Sequence, residues 1–149
     1  MSRSSLYLDT SALLKLFFPE PESLRVAEIV ASEVRVVVSE LGLLEASVQI
    51  QGRRMSGLLP RARAERLEAA LDQTLAMRPF EVLPFAKGAF EHARAQARAA
   101  KKPAHCRTLD RLHLAVMELE GLERLLTNDE RQATAARALG FEVLRCALA

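Results

Sequence analysis

Four carboxylates fall at positions from which they could act together. Asp9 and Asp129 each follow a short apolar run that predicts a buried strand, whereas Glu45 and Asp110 occupy helical positions among apolar residues. In an open α/β sheet, ligands bind beyond the carboxyl ends of the strands, so the two strand-end acids would be neighbours if their strands are adjacent. Two like charges in contact near a protein surface repel by roughly 4 kcal/mol. A cluster of four such acids therefore requires protonation or a cation.

The donor type limits which cation could bind. All four side chains offer oxygen, and no clustered histidine or cysteine accompanies them, which suits Mg²⁺ or Mn²⁺ better than zinc. A bound ion of this kind can activate water and stabilise the charge of an in-line phosphoryl transfer. Of the histidines His92, His105 and His113, none stands at metal-ligand spacing from another, and we expect His113 to be a hydrogen-bonded core residue.

Each strand-end acid also has a purely structural interpretation. Asp129 with Gln132, or Thr127 with Glu130, has the spacing of a capping box at the start of a helix. Asp9 could be a turn residue at the end of its strand. The sequence leaves both the chemical and the structural interpretation open for these positions.

The two helical acids have structural alternatives as well. Asp110, in the first turn of a predicted helix, would complement the helix dipole. Glu45 lies inside the apolar stripe that we expect to face the core, but it could instead pair with Arg53 or Arg54 or simply emerge at a helix edge. None of these separate roles explains why two acids end strands while two others occupy core-facing helix positions.

The scaffold that must position these acids is predicted by the apolar pattern. Short apolar runs alternate with helical patterns, as in an α/β domain built on a mostly parallel sheet. Predicted strands cover residues 6–8, 34–38, 80–83, 125–127 and 141–144. Predicted helices cover residues 12–18, 23–32, 39–54, 61–77, 86–100, 108–120 and 129–139. The helix over 108–120 is apolar on nearly every side, which predicts that it is buried.

Length and composition predict one compact domain, residues 1–149. Half of the residues are hydrophobic and the formal net charge is only +2, so a polyanionic partner is permitted but not required. No uncharged apolar run reaches membrane-spanning length, and the N-terminus does not resemble a signal peptide. Cys106 and Cys146 form no CxxC motif, although a single disulfide between them stays open. We expect a cytoplasmic protein without a membrane partner.

Basic residues gather in two stretches of the sequence. They could be solvated helix faces or a surface that follows a phosphate backbone, and the sequence does not decide between these two interpretations. The first stretch holds Arg53, Arg54, Arg61, Arg63 and Arg66, and the second holds Arg94, Arg98, Lys101, Lys102 and Arg107.

Four segments, each with one of the acids, resemble the motifs of PIN-domain ribonucleases, especially the VapC-type toxins of bacterial toxin–antitoxin pairs. In chain order they are YLDTSALLKLF with Asp9, SELGLLEAS with Glu45, RTLDRLHLAVMEL with Asp110, and LLTNDERQATAARALGFEVL with Asp129. They follow the family's order across essentially the whole chain. Arg111 is a departure, because the family usually has a small residue there; in the cleft, this side chain could alter metal affinity or RNA binding.

The resemblance implies a three-layer α/β/α sandwich around a central, twisted, mostly parallel sheet. It implies an endoribonuclease with one or two Mg²⁺ or Mn²⁺ ions, which cleaves RNA by attack of metal-activated water on a phosphodiester. It also implies a homodimer and a cognate antitoxin that binds the toxin and blocks its site.

The resemblance further implies a role for each acid. Asp9 and Asp110 would be the main metal ligands, and Asp129 would complete the set or hold a metal-bound water. Glu45 would bind a second ion or act through water. The hydroxyl-bearing residues that could hydrogen-bond these ligands, or cap helices instead, are Thr10, Ser11 and Thr127.

Two other interpretations compete with a nuclease. Phosphoryl-transfer domains of the receiver or haloacid-dehalogenase type also place aspartates at strand ends, but Asp9 is followed by Thr-Ser rather than by a second acid two residues on. The alternative function is a non-catalytic RNA- or protein-binding module on the same fold, because a fold does not fix a function. The acid set argues against such a module, since a negative cleft would repel phosphates.

Overall fold

The computed structural model describes residues 5–147, in which a five-stranded sheet carries helices on both faces. The strands are β1 (Leu6–Leu8), β2 (Val36–Ser39), β3 (Phe80–Leu83), β4 (Arg124–Thr127) and β5 (Glu142–Arg145). The helices are α1 (Thr10–Leu14), α2 (Ser23–Ala31), α3 (Glu40–Met55), α4 (Arg61–Leu75), α5 (Ala89–Ala99), α6 (Thr108–Leu119) and α7 (Glu130–Ala138). A short 3₁₀ helix at Lys102–Ala104 lies between α5 and α6.

The strand order places the first and fourth strands side by side. The order is β3-β2-β1-β4-β5, and all four pairings are parallel. Leu8, the last residue of β1, pairs with Leu126 of β4. The chain therefore leaves both strands at the same edge of the sheet, with Asp9 directly after β1 and Asp129 two residues after the end of β4. This confirms the predicted parallel α/β sheet. Because β1 and β4 are adjacent, the two strand-end acids are also brought close together.

Side chains of the central strand alternate between two cores. Leu6 and Leu8 pack with residues of α1, α2, α3 and α4, whereas Tyr7 packs on the opposite face with residues of α5, α6 and α7. All three side chains are fully buried. A parallel sheet covered on both faces has continuous rather than alternating apolar strands, which is the pattern seen here. The architecture is the three-layer α/β/α sandwich implied by the resemblance.

Several element boundaries differ from the prediction for local reasons. The second strand begins at Val36, because Val34 is 82% exposed and precedes the sheet. The first helix begins at Thr10, because the Asp9 side chain caps it two residues earlier than predicted. The fifth helix begins at Ala89 rather than at residue 86, because Gly88 has a φ of +82° and this left-handed conformation does not continue a helix.

The helix that carries the third acid is as buried as its pattern predicted. In α6, every residue from 111 to 117 is buried.

The two cysteines, Cys106 and Cys146, are free and lie in separate core clusters, so no disulfide joins them. Between residues 5 and 147, no helix has both the length and the apolar character needed to cross a membrane.

Candidate active site

Asp9 connects the central strand to the first helix. Its Oδ1 accepts hydrogen bonds from the Ala12 backbone N–H at 2.9 Å and from the Ser11 hydroxyl at 2.7 Å, so Asp9 is the N-cap of α1. Its Oδ2 accepts the Thr127 hydroxyl at 2.5 Å. Burial raises the pKa of Asp9, although these hydrogen bonds lower it. Asp9 therefore caps a helix and at the same time holds a carboxylate in a place where its charged form is disfavoured.

Asp129 is the corresponding acid at the end of β4. Its Oδ1 accepts the Gln132 N–H at 3.1 Å, which is the N-cap that the sequence offered as a structural alternative. The Thr127 hydroxyl is not used to cap with Glu130. It lies 2.5 Å from Asp9 Oδ2, and its oxygen accepts the Asp129 N–H at 3.0 Å. One threonine hydroxyl thus links the two strand-end acids.

Asp110 approaches these two acids from the first turn of α6. Burial raises the pKa of Asp110, and the charge of Asp129 raises it further, while Arg107 opposes both effects. Arg107 Nε lies 3.8 Å from Asp110 Oδ2, and Arg107 Nη2 lies 3.6 Å from Asp129 Oδ2. The Arg107 side chain is 75% exposed, so water screens this ion pairing. Asp110 and Asp129 are therefore close enough to repel each other, and they share the exposed charge of Arg107.

Glu45 reaches the same region from α3. Its Oε1 accepts the Thr10 hydroxyl at 2.9 Å and lies 2.5 Å from His113 Nε2. Burial raises the pKa of Glu45, but the hydrogen bond and charge of His113 and the Thr10 hydroxyl outweigh it, so the pKa lies below its usual value. In contrast to Asp9 and Asp110, Glu45 is therefore an acid whose charged form the protein favours.

The prediction that Glu45 lies inside the core-facing stripe was wrong in detail, whereas the alternative of a position at the helix edge agrees with the structure. α3 buries Ala46 and Ile50, whereas Leu44 and Val48 are 62% and 60% exposed. Glu45 lies at the border of these two faces, with its side chain 21% exposed. The apolar stripe read from the sequence contained residues that the fold leaves in solvent, because the helix packs on its small residues and on Ile50 instead.

His113 is buried between Glu45 and the sheet. Its Nδ1 lies 2.6 Å from the Tyr7 hydroxyl, which in turn lies 2.9 Å from the Ser39 hydroxyl. Burial raises the pKa of Tyr7, so the phenol keeps its proton. The prediction that His113 is a hydrogen-bonded core residue is confirmed, but its partner is one of the four acids.

The four acids line one open cleft of ≈ 780 Å³. Their oxygens suit Mg²⁺ or Mn²⁺, and burial raises the pKa values of Asp9 and Asp110, so a bound cation would stabilise charged forms that the protein disfavours. In the part of the chain from 5 to 147, however, no three acidic, histidine or cysteine side chains already stand in a metal-binding arrangement. The cleft also exposes residues that could contact a ligand, namely Gln49, His105, Arg107, Thr108 and Leu109.

A PIN domain model matches residues 6–138 of this chain, which include all four acids and every strand of the sheet except β5. The chain belongs to the PIN domain family. A relative in Mycobacterium tuberculosis, Ribonuclease VapC46, is 32% identical over 151 residues, which cover 95% of this PIN domain chain and 97% of that protein.

Solved structures share the fold of this PIN domain. VapC20 of Mycobacterium tuberculosis, a sarcin-ricin loop cleaving toxin, is 18% identical with a TM-score of 0.69, over 91% of this chain and 95% of that one. A toxin–antitoxin complex from Klebsiella pneumoniae contains a chain that is 24% identical with a TM-score of 0.56, over 85% of this chain and 87% of that one. At these identities, the structural likeness establishes the fold alone.

Two residues of the PIN-domain cleft were not predicted as parts of the site. Arg107 was grouped with a basic stretch, and His113 was assigned to the core. Arg107 precedes α6, in the same turn as Asp110, which was the signal that could have placed it beside that acid. Arg111 turns away from the acids and donates a hydrogen bond to the Ala104 carbonyl at 2.7 Å. The departure from the family pattern therefore does not enter the cleft.

The first basic stretch has local partners. The Arg53 guanidinium lies 3.9 Å from the centre of the Phe18 ring, and Arg54 donates a hydrogen bond to Gln51. Neither arginine pairs with Glu45, so that alternative is wrong. Of the ten residues in the two stretches, Arg107 is the one that lines the cleft.

Proposed function

We propose that this PIN domain is an endoribonuclease that requires Mg²⁺ or Mn²⁺ and acts as the toxin of a toxin–antitoxin pair. The observation that carries the proposal is the cleft at the carboxyl ends of β1 and β4, which all four acids line. Family membership and the 32% identity to Ribonuclease VapC46 support the same activity. The reaction is hydrolysis of an RNA phosphodiester bond.

The acids would hold one or two ions. Asp9 and Asp110 would be the main ligands, Asp129 would complete the set or hold a water, and Glu45 would serve a second ion or a water. A bound Mg²⁺ or Mn²⁺ supplies a Lewis acid that lowers the pKa of water and offsets charge on the phosphate. The fit is supported by the donor chemistry, because oxygen ligands at half-buried, mutually repelling carboxylates are what a hard divalent cation stabilises.

Hydroxyl groups hold the acids in place. Ser11 and Thr127 each donate to Asp9, and Thr10 donates to Glu45. Such contacts fix the orientation of a carboxylate and leave its remaining lone pairs for a ligand. Arg107, at the mouth of the cleft, would offer a positive charge to an RNA phosphate.

The partners follow from the same family relationship. We infer that the chain forms a homodimer and that a cognate antitoxin covers the cleft in the cytoplasm. A toxin–antitoxin complex that contains a chain of the same fold supports the antitoxin partner. Mixing the purified chain with the product of a small adjacent gene, followed by light scattering, measures both the dimer and the complex.

The decisive experiment is cleavage of total RNA by the purified chain. We expect cleavage with Mg²⁺ or Mn²⁺ and none with EDTA. Asp9→Asn and Asp110→Asn should abolish cleavage while the protein stays folded. For Asp9→Asn, the fold should tolerate the new amide because the Thr127 hydroxyl also lies 3.0 Å from Gln132 Oε1, to which it can donate instead.

The control for this assay is His92→Leu, because His92 pairs with Glu118 away from the cleft. This variant should cut RNA at the wild-type rate. If folded Asp9→Asn and Asp110→Asn variants cut as fast as wild type, the assigned site is wrong. RNA binding without any metal-dependent cleavage would favour the non-catalytic binding module instead.

A further inference from the structure

The carboxylate of Glu45 is held asymmetrically. Both of its hydrogen bonds, from Thr10 and His113, are made to Oε1. Within residues 5–147, no comparable hydrogen bond is made to Oε2. Because Glu45 lines the cleft and two donors fix its other oxygen, Oε2 is the atom that remains to bind a ligand there.

His113 cannot itself bind a ligand in the arrangement described. Its Nε2 contacts Glu45 and its Nδ1 contacts the Tyr7 hydroxyl, so both ring nitrogens are engaged. The imidazole side chain is 2% exposed. Its chemical contribution therefore reaches the cleft through Glu45.

The histidine ring is anchored by a buried chain of hydroxyl groups. Tyr7 and Ser39 are both fully buried, and the Ser39 oxygen accepts the Gly42 N–H at 3.2 Å, which ties the chain to the start of α3. The Tyr7 and His113 rings also meet edge to face, with centroids 5.7 Å apart. Tyr7 belongs to the strand that ends at Asp9, so the anchor of Glu45 and the position of Asp9 depend on the same strand.

We propose that His113 is a positioning residue: by binding Glu45 Oε1, and being fixed itself by Tyr7 and Ser39, it presents Glu45 Oε2 to the cleft. The inference rests on the proposed nuclease function and adds a residue to it. The alternative is a core histidine that is merely satisfied by its neighbours. The two differ in one respect, because a positioning residue acts only through Glu45, whereas a core residue changes stability independently of Glu45.

A double-mutant cycle separates these alternatives. Single-turnover cleavage rates and Mn²⁺ affinity by calorimetry are measured for wild type, His113→Leu, Glu45→Gln and the double variant. Groups that hydrogen-bond a metal ligand typically affect affinity or activity about 10- to 100-fold, so we expect His113→Leu to lower the rate about tenfold in the wild-type background. In the Glu45→Gln background it should change the rate less than about twofold, because contacting residues that act as one unit are not additive.

Two further variants guard against misfolding. His113→Gln offers an amide in place of Nε2, so its cleavage rate should be higher than that of His113→Leu. In His113→Leu, the loss should appear in kcat rather than in KM. Tyr7→Phe removes the anchor but leaves the imidazole, so it should lower the rate in the same Glu45-dependent way. The matched control is His92→Leu, which breaks a histidine–glutamate pair outside the cleft and should be silent.

Equal effects of His113→Leu in both backgrounds, for the rate and for Mn²⁺ affinity, would overturn the positioning role. Equal effects of Tyr7→Phe in both backgrounds would do the same if His113→Leu does not fold. Neither result touches the proposed function, which fails separately if wild type neither cuts RNA nor binds the metal. That last outcome would remove both proposals together.

Discussion

At the scale of single residues, the two strand-end acids each use their two carboxylate oxygens differently. Asp9 and Asp129 each use Oδ1 to cap the helix that follows and direct Oδ2 elsewhere, Asp9 to Thr127 and Asp129 toward Arg107. The structural and chemical interpretations are therefore not exclusive. A substitution that keeps the cap but removes the charge can separate them.

Asp129→Asn is that substitution. Asn caps a helix nearly as well as Asp, so the melting temperature without metal should be unchanged. The charge beside Arg107 is lost, so RNA cleavage with Mg²⁺ should fall at least roughly tenfold, equivalent to about 1.4 kcal/mol of transition-state stabilisation. The measurements are a thermal melt in EDTA and a cleavage rate for the same preparation.

Asp129→Ser serves as the matched control for the cap, since serine also accepts the Gln132 N–H without charge. It should behave as the Asn variant does. A normal cleavage rate in both variants would reduce Asp129 to a helix cap and leave a site of three acids.

At the scale of elements, the position of α3 depends on a glycine. A Cβ at Gly42 would lie 3.3 Å from Val38 Cγ1, a tight contact with β2. It would also lie 3.7 Å from His113 Cε1 and 3.8 Å from Thr10 Oγ1, the two residues that bind Glu45. The close approach of α3 to the sheet and to α6 therefore sets the geometry of Glu45.

Gly42→Ala should move α3 outward. Alanine favours a helix by about 0.5–1 kcal/mol, but overpacking costs about 1–3 kcal/mol, so we expect a net loss of about 1 kcal/mol together with slower cleavage. Gly52→Ala is the matched control on the same helix, because a Cβ added at Gly52 would have nothing within 4 Å. It should stabilise by about 0.5–1 kcal/mol and leave cleavage unchanged. Denaturant titrations give both values, and two equally stable, equally active variants would refute the dependence on Gly42.

The elements also show what the sequence could and could not predict. Asp9 and Asp129 could be placed, because the ends of apolar runs mark strand ends and parallel strands end at a common edge. The partner of Glu45 could not, because His113 is 68 residues away and the contact depends on how α3 packs against α6. Helical periodicity placed Glu45 inside the core-facing stripe rather than at its border for the same reason: it records which residues are apolar, not which ones the neighbouring helix covers.

At the scale of the whole molecule, the charged carboxylate of Asp110 in the cleft lowers the stability of the metal-free fold. Burial raises the pKa of Asp110 above its usual 3.8, so the folded state binds a proton more tightly than the unfolded chain does. The stability from this group is fully present below pH 3.8 and is lost as the pH rises through the folded pKa. The metal-free protein should therefore be less stable at neutral pH than the variant Asp110→Asn.

A bound metal ion should make the wild type more stable than the variant Asp110→Asn. A ligand that binds only the folded state at a hundredfold excess over its Kd adds about 2.7 kcal/mol, which corresponds to a rise in melting temperature of about 5–11 °C for a chain of this size. Melts in EDTA, Mg²⁺ and Mn²⁺ should separate for wild type and coincide for Asp110→Asn. Identical wild-type melts in all three conditions would contradict a metal site.

The strand order determines when, during synthesis, the cleft can be completed. Asp9 emerges from the ribosome before the neighbouring strand β4, which begins 115 residues later, and before Asp129, which follows Asp9 by 120 residues. At about 5–20 residues per second, this interval lasts about 6–24 s. Until then, β1 has a pairing partner on one side only, and the threonine that binds Asp9 Oδ2 has not been made. A nascent chain, or a fragment translated from a truncated mRNA, therefore carries an incomplete acid set. Translation itself delays the appearance of the assembled cleft.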